Sequence, residues 1–194
     1  VVHRDLKPDN IIVTDAEVPL KVIDFGSACD IKTKKGVNDI SLDPLYAPPE
    51  RKILRGVNDK PGKYDVFSVA MIGLRCLMPS FNKRFVTDSE TTLSSDEDNI
   101  LFTEFAVIGF PKVNFDLRSW GETAIGSSSL SASPESDTPD KETETTGIQP
   151  LDSEVQELLS DEFKDLVALL QAMLNPEAQQ RLDAERALAR MRKI

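Results

Sequence analysis

Apolar positions along this chain fall into a few short clusters, each with its own spacing. Ile11, Ile12 and Val13 form a β-rich run, and residues 20–23 form a second. A polar turn with Thr14, Asp15 and Pro19 separates them, so the pair predicts a hairpin. Residues 24–50 show no sustained period and carry Gly26, Gly36, Pro44, Pro48 and Pro49. That predicts a long loop, and long loops in compact domains are usually functional. Residues 64–78 are apolar nearly all round, which predicts a helix buried within a domain and ended by Pro79. Phe163, Leu166, Val167, Leu170 and Leu174 recur at helical spacing, up to a break at Asn175-Pro176. Asp183 is placed to cap a last helix running to Arg192. Residues 88–99 read as an acidic loop, and residues 99–120 mix apolar and polar positions with no clear type.

With 194 residues, 40% hydrophobic and 29% charged, the chain can form the core of one domain, or one lobe of a larger one. The net charge of −10 is concentrated: residues 122–162 hold eleven acidic residues and one basic residue, Lys141. The remainder is balanced, and without a basic face a nucleic-acid partner is not expected. Residues 126–150 are of low complexity, and half of residues 127–146 are Ser or Thr, which predicts an acidic disordered insert. No apolar run approaches the roughly 20 residues of a membrane-spanning helix. The chain starts at Val1 rather than Met and reads as a piece of a longer protein. Cys29 and Cys76 are too few for a disulfide framework or a zinc site and are expected to be reduced, packing thiols.

Candidate chemistry concentrates in the first fifty residues. His3-Arg4-Asp5-Leu6-Lys7-Pro8-Asp9-Asn10 is followed by Asp24-Phe25-Gly26, fourteen residues after Asn10, and Ala47-Pro48-Pro49-Glu50 closes the loop. In order and spacing these blocks resemble the protein-kinase signature set. The resemblance implies a mainly α fold, the carboxy-terminal lobe of a protein kinase with a small β-hairpin at the catalytic site. It implies transfer of the ATP γ-phosphoryl group to Ser or Thr of a protein substrate with Mg²⁺, a reaction in which the protein positions groups and neutralises charge. Asp5 would orient the attacking hydroxyl and take its proton, while Lys7, at the nucleotide phosphates, would offset developing charge. Asn10 and Asp24 would supply hard oxygen ligands to Mg²⁺ and so hold the nucleotide. Ile12 would lie in the floor under ATP, and Gly26 is expected to permit backbone angles that a side chain resists. His3, the only histidine, is implied to pack the catalytic loop.

Supporting residues follow from the same resemblance. Arg4 would pair with a phosphate on the activation loop, where Thr33 and Ser41 are the candidate hydroxyls. Asp65 would hold catalytic-loop N–H groups. Glu50 and Arg181 would form a buried ion pair, although Pro176 to Arg181 is two residues longer than the usual spacing. Asp43 stands where the family has a Thr that bonds the catalytic Asp and Lys, and a fixed carboxylate there would bond Lys7 without modification.

Residues 41–50, with Leu-Asp-Pro-x-Tyr, resemble the thylakoid Ser/Thr kinases of plants and algae that act in state transitions. That implies a chloroplast thylakoid address, in place of an unspecified intracellular soluble one, and light-harvesting or photosystem proteins as substrates. The Gly-rich loop, strand Lys and helix Glu of an amino-terminal kinase lobe are not in this sequence. That lobe is therefore an expected partner, and the chain alone is expected to be inactive. The expected organisation is a catalytic lobe at 1–125, the insert at 126–150 and closing helices at 151–194. The alternative is a pseudokinase-type binding scaffold, which Asp43 and the insert favour and the intact Asp5, Lys7, Asn10 and Asp24 oppose. A third reading makes the insert an acidic docking tail.

Overall fold

The structure, a computed structural model, describes residues 1–15, 19–30, 32, 43–52, 61–82, 100–128 and 148–194. Strand β1 (Ile11–Val13) pairs antiparallel with β2 (Leu20–Val22), with Ile12 opposite Lys21. Thr14 N–H donates to Pro19 O at 2.7 Å and closes the predicted hairpin. Apart from short 3₁₀ turns, the other regular elements described are helices. They are α1 (Tyr64–Leu77), α2 (Ile100–Glu104), α3 (Phe110–Lys112), α4 (Leu117–Ser128), α5 (Ile148–Leu158), α6 (Lys164–Met173) and α7 (Ala184–Met191). The mainly α class with one small hairpin is the one the sequence predicts.

Helix α1 forms the centre of the core. Tyr64, Val66, Phe67, Ala70, Met71 and Leu74 are buried, and all of these but Tyr64 form one apolar cluster with Val167, Leu170 and Met173 of α6. The burial is not all round: Val69, Cys76 and Leu77 line an exposed stripe about two turns apart. Cys76 is therefore an exposed free thiol rather than a packing one, while Cys29 is half-buried and also free.

Residues 99–120 gave no clear type because their helix changes period. Between α2 and α3 runs a π-turn (Phe105–Gly109), in which Phe110 N–H donates to Phe105 O. That i→i+5 bond breaks the 3.6-residue pattern on which a helix is read from sequence. The same offset of five stacks Phe105 on Phe110, with ring centroids 4.8 Å apart. Phe81, Phe102 and Trp120 complete this aromatic cluster.

Helices α4 and α5 pack at close approach. A Cβ on Gly121 would lie 2.4 Å from Leu159 Cδ1 and 3.0 Å from Val155 Cγ1, so glycine is what allows this spacing. The two helices take in residues 126–128 and 148–150, at either edge of the predicted insert. The expectations for residues 129–147 and for the acidic loop at 88–99 lie outside the described residues. Asp183 caps α7, its carboxylate accepting from Arg186 N–H at 2.8 Å.

Candidate active site

The hairpin brings together residues far apart in sequence. Beyond its last strand pair, Ile23 N–H donates to Asn10 O at 2.9 Å. Asn10 and Asp24 therefore sit at one end of the ladder. Val2 and Cys29 exchange both backbone hydrogen bonds, at 2.9 and 2.8 Å, and tie the entry of the loop to the segment after Gly26.

Residues 3–10 are held from below by α1. Asp65 Oδ2 accepts from His3 N–H at 2.7 Å and Oδ1 from Arg4 N–H at 2.9 Å. These two bonds secure a backbone that needs securing, because Arg4 has φ 70°. A left-handed conformation at a non-glycine residue costs on the order of 1–3 kcal/mol unless its surroundings impose it. His3 is buried, lies 4.9 Å from the Phe25 ring and contacts Ile23 O through Nε2 at 2.9 Å. Its Nδ1 accepts from Asp5 N–H at 3.3 Å, so the proton belongs on Nε2. Both ring nitrogens are thus engaged in packing the loop.

Asp5 is buried, and its two carboxylate oxygens differ. Oδ2 accepts from Asn10 Nδ2 at 3.2 Å and lies 3.7 Å from Lys7 Nζ. Oδ1 is buried with no hydrogen-bond partner. Buried polar atoms are rarely left this way, and a free carboxylate oxygen at a loop is suited to accept from an incoming hydroxyl.

Asn10 Nδ2 also donates to Asp5 O at 2.8 Å. Both donor bonds lie on that nitrogen, so the amide oxygen is left available. Asp24 has φ 58°, and its Oδ1 accepts from Gly26 N–H at 3.1 Å. Among the described residues no hydrogen bond reaches Asp24 Oδ2. The left-handed residue here is Asp24 rather than Gly26, which lies in a 3₁₀ turn (Phe25–Ser27). Glycine leaves room there: a Cβ would stand 3.1 Å from Asp24 Oδ1 and push that carboxylate aside by a few tenths of an ångström. One amide oxygen and one carboxylate oxygen fit Mg²⁺, which keeps several waters and takes further ligands from phosphates. They do not form an all-protein cage, and no cluster of three or more His, Cys, Asp or Glu suited to a metal occurs among the described residues.

Lys7 Nζ lies 3.7 Å from Asp43 Oδ2 as well as from Asp5 Oδ2. Arg4 is buried and its Nε donates to Ser27 O. Ile12, on β1, is half-exposed. Thr33 and Ser41 lie outside the described residues. Arg181, 1% exposed, makes a bidentate pair with Glu50 at 2.6 and 2.9 Å, and also donates to Asn175 O, Lys63 O and Pro176 O. The longer spacing before Arg181 is taken up by a turn that folds back, with Arg181 N–H donating to Glu177 O.

One link was not anticipated. Arg75, on α1, donates to the Tyr46 hydroxyl, lies 5.2 Å from the Phe102 ring centroid and bonds Asn82. Burial pushes the Tyr46 phenol above its usual 10.0, against the opposing pull of Arg75. The signal was present in sequence as an arginine within a largely apolar helix, where a charged group requires partners.

The model of the family described as protein kinase domain matches residues 1–191. The chain belongs to that family. Among curated proteins it is 28% identical over 143 residues to the chloroplastic serine/threonine-protein kinase STN7 of Arabidopsis thaliana, covering 62% of this chain and 22% of that protein. The chloroplastic serine/threonine-protein kinase STN8 of Arabidopsis thaliana is 45% identical over 56 residues, 28% of this chain and 11% of its own length. Calcium-dependent protein kinase 5 of Plasmodium berghei is 38% identical over 86 residues, 42% of this chain and 15% of its own length. The resemblance drawn from residues 41–50 is thus met by two chloroplastic relatives. The chain spans about a fifth or less of the length of these three relatives.

Proposed function

We propose that this chain supplies the phosphoacceptor side of a protein serine/threonine kinase, working on Mg²⁺-bound ATP. The observation that carries the reading is the unpartnered buried Oδ1 of Asp5 beside Lys7, with Asn10 and Asp24 brought together by the hairpin. Asp5 orients the substrate hydroxyl through Oδ1 and accepts its proton as the oxygen bonds to the γ-phosphorus of ATP and the bond from that phosphorus to the departing ADP breaks. Lys7 places positive charge where the transferring group carries negative charge. Asn10 and Asp24 hold Mg²⁺, which when bound neutralises charge on the phosphates. Ile12 offers an apolar surface to the base. Val13, Leu20, Val22 and Phe25 leave much of the same region exposed, as a surface that an amino-terminal lobe would cover.

The chloroplastic relatives support a chloroplast address, and the resemblance of residues 41–50 supports a thylakoid one with photosynthetic protein substrates. Among the described residues no helix is long and apolar enough to cross a membrane.

The test measures transfer of radiolabel from ATP to a protein acceptor by the intact protein, together with ATP affinity with and without Mg²⁺. Wild type should transfer label and bind ATP more tightly with Mg²⁺. Asp24→Ala should lose most of that Mg²⁺ enhancement, because a hard cation loses a carboxylate ligand. Nucleotide binding by wild type without transfer would favour the scaffold reading.

A further inference from the structure

We propose that Asp43 is a built-in electrostatic clamp, a positioning residue that holds Lys7 and the segment leading to Glu50 in working geometry without a phosphate. The proposal rests on the kinase reading above and adds its mode of regulation. Its basis is the position of Lys7 Nζ, 3.7 Å from a carboxylate oxygen on each side. One carboxylate, Asp5, belongs to the catalytic loop, and the other, Asp43, begins a turn in a segment distant in sequence.

The geometry of Asp43 is fixed from its own side. Its Oδ1 accepts from Leu45 N–H at 3.0 Å, which leaves Oδ2 for Lys7. Its carbonyl accepts from Tyr46 and Ala47 N–H at 3.2 and 3.1 Å. Asp43 thus organises residues 43–47 locally and fastens them to the catalytic loop through one charge. The Lys7 and Asp43 side chains are 26% and 23% exposed, so the pair is partly shielded from water and less screened than a fully exposed one. The groups around it are consistent with this. Asp5 supplies a second negative charge to Lys7, and Tyr46, next along the turn, is anchored to α1 by Arg75.

A phosphate would order such a segment by bringing about −1.5 to −2 charge to an arginine. Here the loop arginine, Arg4, is buried and donates inward to Ser27 O. A fixed carboxylate already sits on the other loop cation, Lys7. The segment therefore has its negative partner from synthesis, and activity should not depend on modification of Thr33 or Ser41. Asp43 touches no reacting atom and acts only by placing Lys7.

Two measurements on the intact protein test the clamp. The first is transfer kinetics for wild type, Asp43→Asn and Asp43→Glu, before and after phosphatase treatment. Asn keeps an acceptor for Leu45 N–H but removes the charge, so kcat should fall about ten- to hundredfold, as expected when a catalytic group is misplaced. KM for ATP should change little, Glu should restore part of the rate, and phosphatase should leave wild type unchanged. Full kcat in Asp43→Asn, or loss of wild-type activity on dephosphorylation, would overturn the proposal. The second measurement needs no catalysis. Amide exchange at Leu45, Tyr46 and Ala47 is compared in Lys7→Met, Asp43→Asn and the double variant. Each single variant should speed exchange, and the double should be no faster than the faster single, because both remove one interaction. Additive acceleration would overturn the clamp. Coupled exchange in a wild type that transfers no phosphate would instead sink the kinase reading and leave the clamp standing.

Discussion

Arg181 and Asp5 are both buried and charged, and their surroundings treat them in opposite ways. Around Arg181 the helical body supplies a bidentate carboxylate, three carbonyl oxygens and the face of Phe67, 5.1 Å from the guanidinium carbon. Around Asp5 the loop leaves one carboxylate oxygen with nothing. The backbone repeats the contrast. The body from α4 to α7 has no non-glycine residue at positive φ among those described, whereas Arg4 and Asp24 both flank the site with positive φ. Left-handed Asn114 and Phe115 lie just before α4, where Gln171 braces the turn from both sides by bonding Leu117 N–H and Phe115 O. Unmet hydrogen-bonding capacity in a folded protein is destabilising, so where it persists a ligand is expected to complete it. Asp65 joins the two regions: it is rooted in α1 and its carboxylate carries the strained loop.

The sharpest separation of the two regions comes from Asp5→Asn. General-base positioning contributes about 10²–10⁴ in rate, and a neutral amide cannot accept the proton. Transfer should fall by about that factor. Stability should hold or rise, because a buried charge with an unpartnered oxygen is removed. Radiolabel transfer and denaturant unfolding of the same protein read both halves. Loss of stability alongside activity would mean that Asp5 belongs to the body after all.

The opposite result is expected from Arg181→Met. Breaking a buried ion pair by removing one partner destabilises by about 3–5 kcal/mol, because Glu50 is left uncompensated. The denaturation midpoint should fall accordingly, and adding Glu50→Leu should recover most of the loss. In the fraction that remains folded, transfer should be affected far less than by Asp5→Asn. A loss under about 1 kcal/mol would show that the satisfied network is not where this fold keeps its stability.

These contrasts also explain what could be read from the sequence. The hairpin, α1, α6 and the Asp183 cap follow local rules of period and capping, and the structure has them. Asp5, Lys7, Asn10 and Asp24 stood out because the blocks that carry them resemble the protein-kinase signature set in order and spacing. Three things were not legible. The π-turn at Phe105–Gly109 replaces the helical period with another, so the pattern over 99–120 dissolves although its aromatics are core. The left-handed residue at Asp-Phe-Gly is Asp24, and glycine's value there is room beside a carboxylate, which depends on coordinates rather than composition. The Arg75–Tyr46 link joins residues 29 apart, and no local signal chooses which partner an arginine on a core helix takes.

The smallest effect should come from Asp183→Ala, far from the loop. Asp183 satisfies one of the orphan donors at the start of α7 by accepting from Arg186 N–H at 2.8 Å. Replacing an N-cap Asp by Ala typically costs about 1 kcal/mol. The accompanying Arg186–Asp183 ion pair, at 3.5 Å with side chains 76% and 43% exposed, adds little in water. Helix α7 has only eight residues, too few to hold on propensity, and it stays docked through Leu182 and Ala187. Loss of the cap should therefore fray its first turn without releasing it. Amide exchange at Arg186 should quicken, the unfolding free energy should drop by about 1 kcal/mol, and Asp183→Asn should restore most of both. Transfer kinetics should not move, since no hydrogen bond leads from α7 to the loop among those described. A change in transfer in Asp183→Ala would show that body and loop are coupled through the closing helix, and that the division between them is drawn in the wrong place.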